Sequence, residues 1–68
     1  QDKYIQEALS SIPPDFREVV VLRDVQQLTY EEIAQITGLP MGTVKSRINR
    51  GRTKLQALLK DIYAPEEV

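Results

Sequence analysis

LTYEEIAQITGLPMGTVKSRINRGRTKL, residues 28–55, reads as two helices joined by a tight turn. Thr29 stands three residues before Glu32, the spacing of a capping box in which the threonine hydroxyl takes the Glu32 N–H and the carboxylate reaches back to the Thr29 N–H. A helix therefore starts there, with Ile33, Ala34 and Ile36 on its inner face. Gly38 falls where a helix ends in a left-handed residue, and Pro40 supplies a preset φ for the start of the next helix. The third helix is thus short, about two turns, and the fourth runs from about Pro40 or Met41 to about Ile62. A short helix, a glycine-containing turn and a longer helix make a helix-turn-helix, with Ala34 small where the two cross and Val44 buried after the turn. Gly51 sits in mid-helix at a cost of about 1 kcal/mol relative to Ala, which points to a close approach by helix one or two.

Upstream, Ile5, Ala8, Leu9 and Ile12 recur at helical spacing over roughly residues 2–11, and Pro13-Pro14 must end that helix because the residue before a proline avoids the α region. Pro14 then suits the first turn of a second helix whose apolar face, Phe16, Val19, Val20 and Leu22 with Val21 and Val25, continues to about Gln26. The predicted architecture is all-α: four helices without a sheet, helices three and four forming the helix-turn-helix in a winged-helix-like arrangement. Val20, Leu22, Ile33, Ile36, Val44, Ile48 and Leu55 are expected in a shared core. Residues 1–64 are expected to form one domain, and Pro65-Glu66-Glu67-Val68 a frayed tail.

The 68 residues contain no Cys and no His, which excludes disulfides, the usual zinc sites and the commonest general base. The acidic residues form no catalytic constellation, so neither an enzyme, a metal site, a cofactor nor a small-molecule substrate is expected. No stretch approaches the roughly 20 apolar residues of a membrane span and the first residues lack the pattern of a secretory signal, so a cytoplasmic protein without membrane insertion is expected.

The net charge of -1 conceals an uneven distribution. From Ile33 to Lys60 the charged residues are Lys45, Arg47, Arg50, Arg52, Lys54 and Lys60, all basic, while all ten acids lie outside that window. On a helix of about 100° per residue, Val44, Ile48, Gly51, Leu55, Leu58, Leu59 and Ile62 share the core face. The opposite side presents Gly42, Ser46, Asn49, Arg50 and Thr53. Lys45 and Arg52 lie on one flank, Arg47 and Lys54 on the other. Base-reading groups at the tip of a helix, with cations on both sides where two phosphate backbones rise, suit a recognition helix in a major groove. A solvated basic helix gives the same charge pattern, and for Arg47 a salt bridge to Glu18 or Glu32 competes with a phosphate contact.

Residues 12–55, IPPDFREVVVLRDVQQLTYEEIAQITGLPMGTVKSRINRGRTKL, closely resemble region four of sigma factors, above all the extracytoplasmic-function (ECF) group of the sigma-70 family. Leu28-Thr29-Tyr30-Glu31-Glu32-Ile33-Ala34 and Gly42-Thr43-Val44-Lys45-Ser46-Arg47 with Arg50 and Arg52 carry the resemblance. It implies a domain that holds the specificity subunit of RNA polymerase on the -35 element of double-stranded promoter DNA and docks on the flap of the polymerase β subunit. Carried over by position, Lys45, Ser46, Asn49 and Arg50 match base-facing places, and Arg23, Tyr30, Gly42, Thr43 and Arg52 match places near the DNA backbone. Arg47 is counted with the backbone group as a flanking cation. Asn49 stands where the family is variable; its amide suits adenine. The resemblance further implies an anti-sigma factor as partner, with Tyr4, Ile5 and Phe16 as candidate apolar docking residues. It also implies that this chain is a piece of a longer protein, since nothing in it resembles the promoter-melting region two.

Two other readings remain open on the sequence. The helix-turn-helix of LuxR-type response regulators also shows Thr-Val-Lys at the start of its recognition helix, but there a His-containing stretch usually follows. A module that chiefly binds polymerase or an anti-sigma factor would use the same apolar surfaces.

Overall fold

In the computed structural model the backbone is described for residues 3–63 and the side chains for residues 3–59. The side chains of Lys60 and Ile62 and the tail expected at residues 65–68 lie outside the described residues. Four α-helices follow one another: α1 (Lys3–Ser11), α2 (Pro14–Val20), α3 (Tyr30–Thr37) and α4 (Met41–Tyr63), and α2 is prolonged by one π turn, Val21–Val25. Among the described residues there is no strand, and no helix is long and apolar enough to cross a membrane.

The local signals act as expected at α3. Thr29 Oγ1 accepts the Glu32 N–H at 3.0 Å and Glu32 Oε1 accepts the Thr29 N–H at 2.8 Å, so both donors at the helix start are satisfied. At the other end Gly38 adopts φ +75° and its N–H returns to the Ala34 carbonyl, closing α3 after two turns. Pro14 opens α2, where its missing N–H costs nothing.

The second helix departs from the expected continuous α-helix to Gln26. After Val20 the chain widens: the Gln26 N–H donates to the Val21 carbonyl five residues back, the Leu28 N–H to that of Leu22, and Gln27 takes φ +61°. The wider turn shifts the face that follows it. Leu22 and Leu28 still pack inward while Val25 is turned out, 61% exposed.

The core is two linked clusters, not the single one expected. Val19, Ile33, Val44 and Ile48 are fully buried beneath the helix-turn-helix, with Leu22, Leu28, Tyr30, Ala34 and Leu39 against them. Val20 instead turns toward α1, joining Leu9 and Ile12 in a second cluster flanked by Ile5, Val21, Leu55 and Leu58. Adjacent β-branched residues on α2 thus face different partners, which divides Val20 and Leu55 from the rest. Ile36 leaves the core altogether at 60% exposure. In two turns of α3, Ile33, Ala34 and Tyr30 suffice to cover the first cluster, and Ile36 points past its rim.

Helix α2 crosses α4 at Gly51. A Cβ on Gly51 would lie 2.5 Å from Val20 Cγ2, 3.2 Å from the Phe16 carbonyl oxygen and 3.3 Å from Phe16 Cβ. Val20 is buried and stiff at χ1, and the oxygen is backbone, so neither can move aside cheaply. Gly51→Ala should therefore lower stability by roughly 1 kcal/mol net, the steric cost exceeding the helix-propensity gain. Gly42, in the first turn of the same helix, has nothing within 4 Å of such a Cβ, and Gly42→Ala should raise stability by roughly 0.5 kcal/mol. Urea unfolding of the two variants checks the opposite signs.

Candidate nucleic-acid interface

Packing fixes the roll of α4. With Val44 and Ile48 fully buried and Gly51 against α2, the side of α4 that carries Lys45, Ser46, Asn49, Arg50 and Thr53 is exposed. Gly42 is exposed at the start of the same face, and Thr43 and Arg47 are half-buried beside it. These neighbours present ammonium, hydroxyl, carboxamide and guanidinium groups, the chemistry that meets base edges and phosphates.

The remaining candidates gather on the flank of α4 nearest the start of α3. Tyr30, half-buried against the first cluster, holds two cations over its ring: Arg23 Cζ at 4.9 Å and Lys45 Nζ at 5.7 Å from the centroid. Arg23 Nη1 also donates to the Leu28 carbonyl at 2.8 Å, tying the π turn to the loop before α3. Arg52 reaches across to Asp24, donating from Nε to Oδ2 at 2.9 Å and from Nη2 to Oδ1. Arg23, Asp24, Gln27 and Arg52 line an open cleft of about 420 Å³. Three cations placed near the DNA backbone by resemblance or by flank, or at a base, are therefore already tethered within the domain.

On the opposite flank, Phe16, Asn49, Arg50, Thr53 and Lys54 line a second open cleft of about 370 Å³, with Lys54 Nζ 5.8 Å from the Phe16 ring centroid. Arg47 forms no salt bridge to Glu18 or Glu32. Among the described residues the ion pair is Arg52–Asp24, and the Glu32 carboxylate is engaged in the capping box. Tyr4 is exposed on α1, Ile5 is half-buried against the second cluster, and Phe16 is half-buried at the second cleft.

Sequence reasoning placed the outward residues of α4 but missed Asp24 and the contact of Phe16 with Lys54. Asp24 precedes Arg52 by 28 positions, and no local pattern joins them. The π turn that aims Asp24 contains neither Gly nor Pro to mark it.

The family described as sigma-70, region 4, matches residues 2–55. The chain belongs to the sigma-70 region 4 family. Its relatives include the ECF RNA polymerase sigma factor SigE of Mycolicibacterium smegmatis, 53% identical over 55 residues that cover 81% of this chain and 21% of that protein. The ECF sigma factor SigW of Bacillus subtilis is 41% identical over 58 residues, 85% of this chain and 31% of its own length. The ECF RNA polymerase sigma-E factor of Escherichia coli is 45% identical over 56 residues, 76% and 29% respectively. The region 4 chain thus spans between about a fifth and a third of these relatives.

The Arg52 hydrogen bonds hold the Asp24 carboxyl below its ordinary value, aided by the charges of Arg52 and Arg23 and opposed by partial desolvation. A carboxylate with a depressed folded-state pKa stabilises the fold at pH above its unfolded value of about 3.9, and that contribution is lost as the pH falls through the lower folded value. Both partners are well exposed, so screening limits the effect to roughly 1 kcal/mol or less. Asp24→Asn should melt below the parent at pH 7, and the gap should close as the pH drops below about 3.9. A gap that persists unchanged in acid removes the charge of Asp24 as its cause.

Proposed function

We propose that this domain binds the -35 element of promoter DNA as the C-terminal part of an ECF sigma factor, and so directs RNA polymerase to its promoters. Lys45, Ser46, Asn49 and Arg50 read base edges in the major groove; Arg23, Tyr30, Gly42, Thr43, Arg47 and Arg52 hold the sugar-phosphate backbone. The observation that carries the reading is the roll of α4, with Val44, Ile48 and Gly51 turned inward and the four base-facing candidates turned out. Membership of the sigma-70 region 4 family, with relatives that are ECF RNA polymerase sigma factors, supports the promoter and the polymerase as its partners. The domain acts by binding, without catalysis or cofactor, in the cytoplasm where the DNA lies. We assign residues 1–64 to this one domain.

The β flap of polymerase and an anti-sigma factor are the protein partners proposed. Ile12, Pro13, Ala57 and Leu58, with Ser11 and Lys54, line an open, mainly apolar cleft between α1 and α4 that adjoins the cleft of Phe16 and Arg50 through Lys54, and its apolar lining supports a protein-docking surface beside the DNA side. A LuxR-type response regulator is not favoured, because the family match and the named relatives are sigma factors.

Base reading and phosphate holding separate within one helix. Arg50→Ala should cost roughly 1–3 kcal/mol on a matched site and relax preference at one base pair. Arg52→Ala should weaken matched and scrambled duplexes alike and lower the salt slope by about one phosphate contact. Titrating both variants against both duplexes at several salt concentrations tests the assignment. Equal losses on the two duplexes for Arg50→Ala would make Arg50 a phosphate clamp and the proposed orientation of α4 wrong.

A further inference from the structure

Asp24 has no part in the grip on DNA set out above, yet it holds one of its residues. A guanidinium carries five N–H groups arranged along two usable edges. Arg52 commits the edge formed by Nε and Nη2 to Asp24. The other edge, Nη1 with the outer N–H of Nη2, is the fork that matches a phosphate bidentately. The side chains of Arg52 and Asp24 are 40% and 37% exposed, and both line the open cleft that a ligand would enter.

Asp24 is itself well placed to hold something still. It lies in the π turn, which the Gln26 and Leu28 amides close, and its neighbour Arg23 is anchored to the Leu28 carbonyl and the Tyr30 ring. Resting on the reading of this domain as DNA-binding, we propose that Asp24 is a positioning residue for DNA recognition: it clamps the inner edge of Arg52 so that the outer edge is presented to a backbone phosphate.

Two effects of Asp24 oppose each other. An arginine loses as much rotamer freedom on immobilisation as any side chain, and Asp24 imposes that loss in the free protein, before DNA arrives. Its carboxylate also repels phosphate, and a phosphate on the outer edge of the same guanidinium lies inside the Debye length of about 8 Å, so salt does little to screen that repulsion. Arg23 and Arg52 nonetheless leave the cleft with a net positive charge, and the positioning role requires the clamp to outweigh the repulsion that remains. The two effects predict opposite changes in affinity when Asp24 is removed.

The experiment measures the affinity of the full 68-residue chain for two duplexes: one carrying the strongest site that the wild-type chain selects from a randomised pool, the other a scrambled version of it. Asp24→Ala should weaken binding to the selected duplex roughly three- to tenfold. Asp24→Asn keeps one acceptor oxygen for Arg52 and should fall between Asp24→Ala and wild type. In an Arg52→Ala background, Asp24→Ala should change affinity by less than about twofold, because the clamp then has nothing to hold. Thermal melting at pH 7 confirms that each variant is folded. Tighter binding by Asp24→Ala, or the same change with and without Arg52, overturns the proposal and leaves Asp24 as a repelling charge only. Failure of the DNA-binding reading looks different: the wild-type chain then selects no site, and the positioning role falls with it.

Discussion

Helix α2 lies so close to α4 that a single methyl group on Gly51 would meet Val20 Cγ2 at 2.5 Å. The two helices can approach that far only because position 51 has no side chain, and most of the architecture follows from the approach. Val19 and Val20 straddle the crossing, one facing the cluster under the helix-turn-helix and the other the cluster under α1. A side chain at position 51 would wedge the two clusters apart. A small domain has little apolar surface to spare, so contact density at this crossing replaces sheer core size.

The same crossing determines what the surface of α4 meets. Arg52 follows Gly51 directly, and Asp24 lies four residues beyond Val20, so bringing Gly51 onto Val20 also brings the guanidinium to the carboxylate. The π turn completes the alignment, since a regular α-helical turn would carry Asp24 to a different angle. Helix interruptions of this kind recur at functional sites, and here the interruption aims Arg23 at Tyr30 and Asp24 at Arg52.

Held in this way, the cations of the domain form two unlike groups. Lys45, Arg23 and Arg52 sit along one flank with intramolecular partners, so their ordering is part of folding. Arg50 lines an open cleft with Phe16 and Lys54 on the other side of the exposed face. A net charge of -1 is therefore no guide to how this surface meets a polyanion. No acid lies between Ile33 and Lys60, and Asp24, which reaches α4 from the π turn, is paired there with Arg52.

Much of the helix-turn-helix was legible in the chain because its signals are local. Thr29 and Glu32 are three residues apart, Gly38 ends a helix by its own backbone freedom, and the period of Val44, Ile48 and Leu55 sets the inner face of α4 without reference to any other helix. Gly51 even announced a close neighbour, since a mid-helix glycine is costly unless space demands it. Ile36, the division of the core, the π turn and Asp24 were not legible. Whether an apolar residue at the edge of a face is covered depends on how far the partner helix extends, which periodicity does not encode. A turn that widens without Gly or Pro is stabilised by the packing of Leu22 and Leu28, partners that only folding supplies. The sequence by itself determined the helices, their ends and the inward and outward faces of α4, because these follow from hydrogen bonds and spacings within a few residues. Only the tertiary structure decided which neighbour each outward charge would face, because that distance is set by the crossing of α2 over Gly51, between segments far apart in the chain.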